Sequence, residues 1–169
     1  ALSAENVDGV VVDLRGNPGG SLDEVARMLG MFLKDGPLVQ IRDGNGNVSV
    51  YRDDDGGKQL YAGPMTVLIN LASASASEIF AAAIQDYGRG LILGSTTTGK
   101  GTAQVQLDSL AYGQATLTQR TFYRVTGGST QNRGVSPDIN MVSIYDEDLG
   151  ERKAKNALKW DTIATSAYV

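Results

Sequence analysis

Apolar residues along this chain come in short runs separated by glycine-rich polar stretches, and the spacing inside each run separates strands from helices. Val7 to Leu14 (VDGVVVDL) is rich in valine over a short span, the pattern of a strand buried on both faces. Arg15-Gly16-Asn17-Pro18-Gly19-Gly20 is turn chemistry, and Ser21 or Asp23 can cap a helix whose stripe is Leu22, Val25, Ala26, Leu29, Phe32 and Leu33. Pro37 to Arg42 predicts a strand, and the Asp43 to Asn47 turn followed by Val48 to Tyr51 predicts its hairpin return. Met65 to Asn70 (MTVLIN) predicts another buried strand. Ser75 to Tyr87 predicts a helix with Ile79, Phe80, Ala83, Ile84 and Tyr87 on one stripe, and Leu91-Ile92-Leu93 the next strand. Strands alternating with helices predict an α/β layer with a largely parallel sheet. Beyond Gln104 the spacing turns toward period two, through Val105 and Leu107, Ala115 to Leu117 and Arg120 to Val125, which predicts added β-structure. The last stretch, from Tyr145 to Val169, is charged at first and offers Trp160 as an anchor.

Composition narrows the chemistry. With 169 residues, 41% hydrophobic and 20% charged, the chain reads as one globular domain over 1–169, with neither an internal repeat nor a low-complexity linker. A net charge of -4 without a clustered basic face argues against a nucleic-acid partner. Histidine and cysteine are both absent, which excludes a Ser-His-Asp triad, a thiol protease, a thiolate or imidazole zinc site and a disulfide framework. A metal-free hydrolase built from this chain must therefore use Lys, Asp or Glu as its base. Asp53-Asp54-Asp55 lacks the alternating ligand spacing of an EF-hand, so it reads as a solvated loop and no metal is expected. The chain starts on Ala and contains no signal-like or membrane-spanning run, so it is expected to be an excised piece whose flanks have been removed.

The stretch from Asn70 to Gln104 gathers the reactive groups. Ser75-Ala76-Ser77-Glu78 fits a capping box, in which hydroxyl and carboxylate each satisfy a backbone donor. The same geometry suits a nucleophile, because unpaired N–H groups and the positive dipole end favour an alkoxide and the oxyanion formed on attack. Ala76 N–H is then an oxyanion donor, and the Gly19-Gly20 loop leaving the first strand can lend a second. The bland alternatives are a simple helix cap and an ordinary tight turn. A serine nucleophile needs a base, and a lysine serves when burial lowers its pKa from about 10.4 toward roughly 7 to 8. Lys100, between Gly99 and Gly101, is the candidate; a solvated surface lysine is the alternative. Gln104 shares a face with Lys100 if the segment is extended, where it can orient the amine. Asp86 returns to the helical face of Ser75 about 16 Å along the axis, too far to touch it, and reads as structural, pairing with Arg89 or a loop.

DLRGNPGG at Asp13 to Gly20, SASASEIFAAAIQDYGR at Ser73 to Arg89, TTTGKGTAQ at Thr96 to Gln104 and FYRVTGGSTQNRGVSPDI at Phe122 to Ile139 together resemble the tail-specific, or C-terminal processing, proteases. The resemblance covers most of the chain and implies a serine-lysine peptidase on an α/β core of the crotonase and Clp-protease type. By motif it puts the nucleophile on Ser75, the base on Lys100, the lysine-orienting glutamine on Gln104, and the oxyanion hole on Ala76 with Gly19 and Gly20; Ser73 and Ser77 do not match the nucleophile position. It further implies polypeptide substrates taken through apolar C-terminal tails, a periplasmic location and no organic cofactor. The PDZ domain usual in that family has no counterpart here. Two other classes stay open at this point. One is a non-catalytic binding domain that keeps the fold. The other is a phosphate-binding domain, because Gly94 to Gly101 nearly matches a P-loop but has Gly101 where a hydroxyl residue belongs.

Overall fold

The computed structural model describes residue 5 and residues 7–53, 59–107, 112–145 and 149–168. Strand β1 (Val10–Asp13), helix α1 (Leu22–Gly30), strands β2 (Pro37–Asp43), β3 (Val48–Arg52) and β4 (Met65–Ile69), helix α2 (Ala76–Asp86), and strands β5 (Leu91–Gly94), β6 (Thr102–Leu107), β7 (Ala115–Tyr123) and β8 (Ile139–Asn140) follow in chain order, with one short 3₁₀ turn at Glu151–Lys153. They form two four-stranded sheets, one parallel in the order β1-β4-β5-β8 and one antiparallel in the order β3-β2-β7-β6.

The α/β expectation holds, with three differences. The Val7 to Leu14 run yields only four strand residues, and Val11 is 65% exposed: burial alternates along β1, so one face of the strand is covered and the other is not. The β2–β3 hairpin and the β-structure beyond Gln104 are not separate pieces: β2 pairs with β7 from Gln40↔Tyr123 to Asp43↔Arg120, so both belong to one antiparallel sheet. The two short runs expected over 115–125 are one strand. Its register shifts where Ala103 faces Arg120 and Gln104 faces Thr118, which leaves Gln119 as the extra residue of a bulge on β7.

Helix α1 starts on Ser21, whose hydroxyl accepts from Glu24 N–H, and ends at Gly30; Phe32 and Leu33 stay buried in the turn beyond it. Helix α2 exceeds its predicted stripe. Every residue from Ala76 to Ile84 is buried, since α2 packs against α1, β5 and β2 at once. The Ala81-Ala82-Ala83 run makes that close approach possible, and Phe80 meets Phe32 edge to face with ring centroids 6.0 Å apart. Trp160 anchors the C-terminal stretch as expected: its indole N–H donates to Ser129 O, 2.8 Å, and the Arg133 guanidinium stacks on its ring. Asp54 and Asp55 of the acidic loop lie outside the described residues.

Candidate active site

In a parallel sheet, groups that act together collect beyond the carboxyl ends of the strands. Residues 14–21 leave β1, residues 70–75 leave β4 and residues 95–101 leave β5. Hydrogen bonds weld these three loops into one unit. Asn17 O accepts from Ala74 N–H (3.0 Å) and from the Ser77 hydroxyl (3.1 Å). The Ser73 hydroxyl donates to Leu14 O (2.7 Å), and Thr98 N–H to Ser73 O (3.0 Å). Ser73 and Ser77 are thereby buried structural hydroxyls.

Ser75 is the N-cap of α2 with φ 56° and ψ -115°, a conformation that disfavours any residue with a Cβ. Such strain is stored where surrounding contacts over-determine it. The Ser75 hydroxyl stands opposite Glu78 N–H in the expected capping-box arrangement but closes no hydrogen bond with it, that N–H donating to Ser75 O at 2.9 Å. The glutamate arm of the expected capping box is present, since Ser75 N–H donates to Glu78 Oε2 at 2.9 Å.

That carboxylate does far more than cap a helix. Glu78 Oε2 also accepts Lys100 N–H at 2.9 Å, while Oε1 accepts Gly99 N–H at 2.8 Å and the Thr97 hydroxyl at 2.5 Å. Two such bonds to one oxygen hold the main-chain nitrogens of Ser75 and Lys100 within roughly 6 Å of each other. Gly101 N–H donates to Gln131 Oε1, 2.9 Å, so the lysine loop is fixed on both sides of Lys100. Glu78 is completely buried, and burial pushes its carboxyl above the ordinary range against the pull of the hydrogen bonds from Thr97, Gly99, Ser75 and Lys100. Local spacing announced Glu78 only as a cap; its grip on a loop some twenty residues away had no signal in the sequence. Among the described residues the Lys100 ammonium forms no ion pair, and no hydrogen bond joins it to the Ser75 hydroxyl.

The other expected residues divide. Ala76, the first residue of α2, carries the unpaired N–H of a helix start. Gly19 N–H is taken by Asn17 Oδ1, 2.9 Å, whereas Gly20 N–H has no partner among the described residues. Gly19 matters by its size instead: a Cβ there would come within 2.8 Å of Ala74 O and of Ser75 Cβ, and its φ is +105°. Gly19, Gly20 and Ala76 border one cavity of about 150 Å³ whose apolar wall is Leu14, Val25, Met28 and Phe80.

Gln104 lies on exposed β6. Because the bulge is on β7, β6 alternates regularly, and Gln104 Nε2 donates to the Thr102 hydroxyl (2.8 Å) and to that of Thr118 (3.3 Å), leaving Oε1 as the end free to accept from an amine. Asp86 pairs with Arg124 at 2.5 Å and not with Arg89, which donates to Phe32 O and Tyr61 O. The phosphate-binding reading fails: Lys100 leads into strand β6, and a P-loop needs a helix there.

The model of peptidase family S41 matches residues 1–141. The chain is 47% identical over 177 residues to the tail-specific protease of Haemophilus influenzae, covering 99% of this chain and 25% of that protein. It is 36% identical to a carboxy-terminal-processing protease of Bartonella bacilliformis, covering 94% of this chain and 38% of the relative. Among solved structures, the photosystem II D1 C-terminal processing protease superposes with a TM-score of 0.72 at 37% identity, over 83% of this chain and 36% of that one. The chain thus spans between a quarter and two fifths of the length of these relatives.

Proposed function

The chain belongs to peptidase family S41, and from that premise we propose that it is the catalytic core of a serine endopeptidase in which Ser75 is the nucleophile and Lys100 the base. The observation that carries this reading is the Glu78 clamp, which gathers a strained, uncapped serine and a lysine around one buried carboxylate.

Lys100, acting as the base, takes the Ser75 hydroxyl proton on its side-chain nitrogen as Oγ attacks the peptide carbonyl. Charge on the carbonyl oxygen is met by Ala76 N–H and Gly20 N–H, the two free donors that border the same cavity. Collapse of the tetrahedral adduct breaks the C–N bond, and the leaving amine recovers the proton from Lys100. Water, activated by the same amine, then hydrolyses the ester and restores Ser75. Gln104 Oε1 orients the lysine once its side chain swings toward Ser75, a rearrangement that substrate entry would drive. The chemistry calls for no metal and no organic cofactor.

The cavity beside Gly20 and Ala76 is walled by aliphatic and aromatic carbon and suits a small apolar side chain on the acyl side of the scissile bond. Relatives named tail-specific and C-terminal processing proteases support polypeptide substrates engaged at their C-terminal ends, and the apolar character of those tails and a periplasmic setting are proposed on the motif resemblance alone. No helix among the described residues is long and apolar enough to cross a membrane.

The test is cleavage of reduced casein by the chain, alone and within its longer natural polypeptide, against Ser75→Ala and Lys100→Ala. Loss of cleavage in both variants with unchanged melting temperatures is expected. Activity retained by Lys100→Ala would refute the dyad. A wild type that neither cleaves casein nor reacts at Ser75 with a sulfonyl fluoride would establish the binding-domain reading, to which the absent Ser75–Lys100 hydrogen bond gives its one point of support.

A further inference from the structure

The chemistry above gives no task to Gln131, a polar side chain that is only 1% exposed and is packed against the loop carrying Lys100. The approach is close: a Cβ on Gly101 would come within 2.5 Å of Gln131 N. Both ends of the Gln131 carboxamide are engaged. Oε1 accepts Gly101 N–H at 2.9 Å, while Nε2 donates to Glu151 Oε1 at 3.1 Å and to Asn132 Oδ1 at 3.4 Å. A carboxamide offers an acceptor and donors side by side. Leucine in its place would leave Gly101 N–H without that partner, and glutamate would set one carboxylate against another at Glu151.

Glu151 lies beyond the residues 1–141 that the family model matches, and so do the other groups that back the lysine loop from this side. Glu151 N–H donates to Thr98 O at 3.0 Å, Asn132 Nδ2 to Leu158 O at 2.8 Å and Trp160 Nε1 to Ser129 O at 2.8 Å. Asn132 is held in the left-handed region, φ 61°, with its N–H on Gly99 O at 2.8 Å. Lys100 therefore stands between Glu78 on one side and the Gln131-Asn132 pair on the other. Glu78 bonds to Thr97, Gly99 and Lys100 but does not reach Gly101. The Lys100–Gly101 peptide plane has its N–H on Gln131; released from it, the plane could turn against a glycine that offers little resistance, and carry the Lys100 side chain with it.

We propose that Gln131 is a positioning residue for the lysine base: its Oε1 fixes the plane of the Lys100–Gly101 peptide, and Glu151, from outside the family-matched span, holds the carboxamide in the orientation that does so. The proposal rests on the protease reading above and specifies what sets the base in place. The base answers to the 150–160 segment as well as to α2. A molecule that has lost the Gln131–Glu151 contact still binds substrate, so it keeps its KM and loses kcat.

Two measurements test it. Gln131→Glu should lower kcat for reduced casein about tenfold to a hundredfold, the effect of misplacing a reacting group by about 1 Å, with KM essentially unchanged. Combining it with Glu151→Gln exchanges acid and amide and rebuilds the pairing, so kcat should return to within about threefold of the wild type. A kcat per folded molecule that stays at the wild-type value in Gln131→Glu overturns the proposal, as does a double variant no faster than the single one. Glu151→Ala keeps the test sharp if the buried glutamate prevents folding, because residue 151 is partly exposed. Its Gly101 amide should exchange hydrogen about tenfold faster than in the wild type while the Ile84 amide in α2 is unchanged, and its kcat should fall at constant KM. Equal exchange at Gly101 in the two proteins overturns the proposal and leaves the protease reading standing. No casein turnover by the wild type overturns that reading and this proposal with it.

Discussion

Replacing Ser75 by glycine should make the protein inactive and more stable. The residue sits at φ 56° and ψ -115°, where a Cβ is disfavoured and a glycine is at ease. Releasing a strained non-glycine residue is worth about 1–3 kcal/mol in the folded state, while the greater freedom of glycine in the unfolded chain returns about 0.5–1 kcal/mol. No cap hydrogen bond is lost, since the hydroxyl makes none. A net gain of roughly 0.5–2 kcal/mol follows, or about 2–6 °C in melting temperature for a chain of this size. Ser75→Ala is the control: it also lacks the nucleophile but keeps the Cβ, so its melting temperature should stay near that of the wild type. Calorimetric melts of the three proteins at one pH, with casein turnover measured in parallel, decide the matter. If the glycine variant melts below the alanine variant, the Cβ of residue 75 is not the source of strain and the reasoning is wrong.

Gly19→Ala should disable the site by crowding, because the new methyl comes within 2.9 Å of Ala76 N as well as close to Ser75; a displacement of about 1 Å there should lower casein turnover about a hundredfold, and near-normal turnover would contradict it. Asp86→Ala should leave Arg124, whose side chain is 22% exposed, with Gln85 as its remaining side-chain partner, removing about 2–4 kcal/mol of stability; a fall in turnover at an unchanged melting temperature would show that Asp86 is not structural. For Glu78, burial raises the folded carboxyl above its ordinary value near 4.5, so its contribution to stability is full below that pH and declines as pH rises through the folded value. The urea-unfolding advantage of wild type over Glu78→Gln should accordingly shrink from pH 4.5 toward pH 8, and an advantage that grows with pH would reverse the sign.

Elements with strong local patterns were legible in the sequence. The β2–β3 hairpin, β4, α2 and β5 fall within a residue or two of their expected positions because apolar periodicity and turn chemistry act locally. Pairing between distant strands was not legible, since nothing within Pro37 to Asp43 encodes a preference for β7 over any other strand. The site shows the same division. Ser75, Lys100 and Ala76 stand in recognisable local motifs, whereas Glu78 bonding to the lysine loop, Asn17 occupying Gly19 N–H and Arg124 claiming Asp86 are products of tertiary packing. The glycine pair Gly19-Gly20 was one motif in sequence and is two devices in space, a close contact and a free donor.

Glu78 also sets how the molecule fails. The carboxylate that joins the two proposed reactive loops belongs to α2, the helix buried on all sides at the centre of the domain. A chain in which α2 has come loose loses the clamp in the same event, so a half-melted molecule retains no working site. Heat inactivation and collapse of the core should then coincide at one temperature, with no partly folded form in which the two loops stay joined.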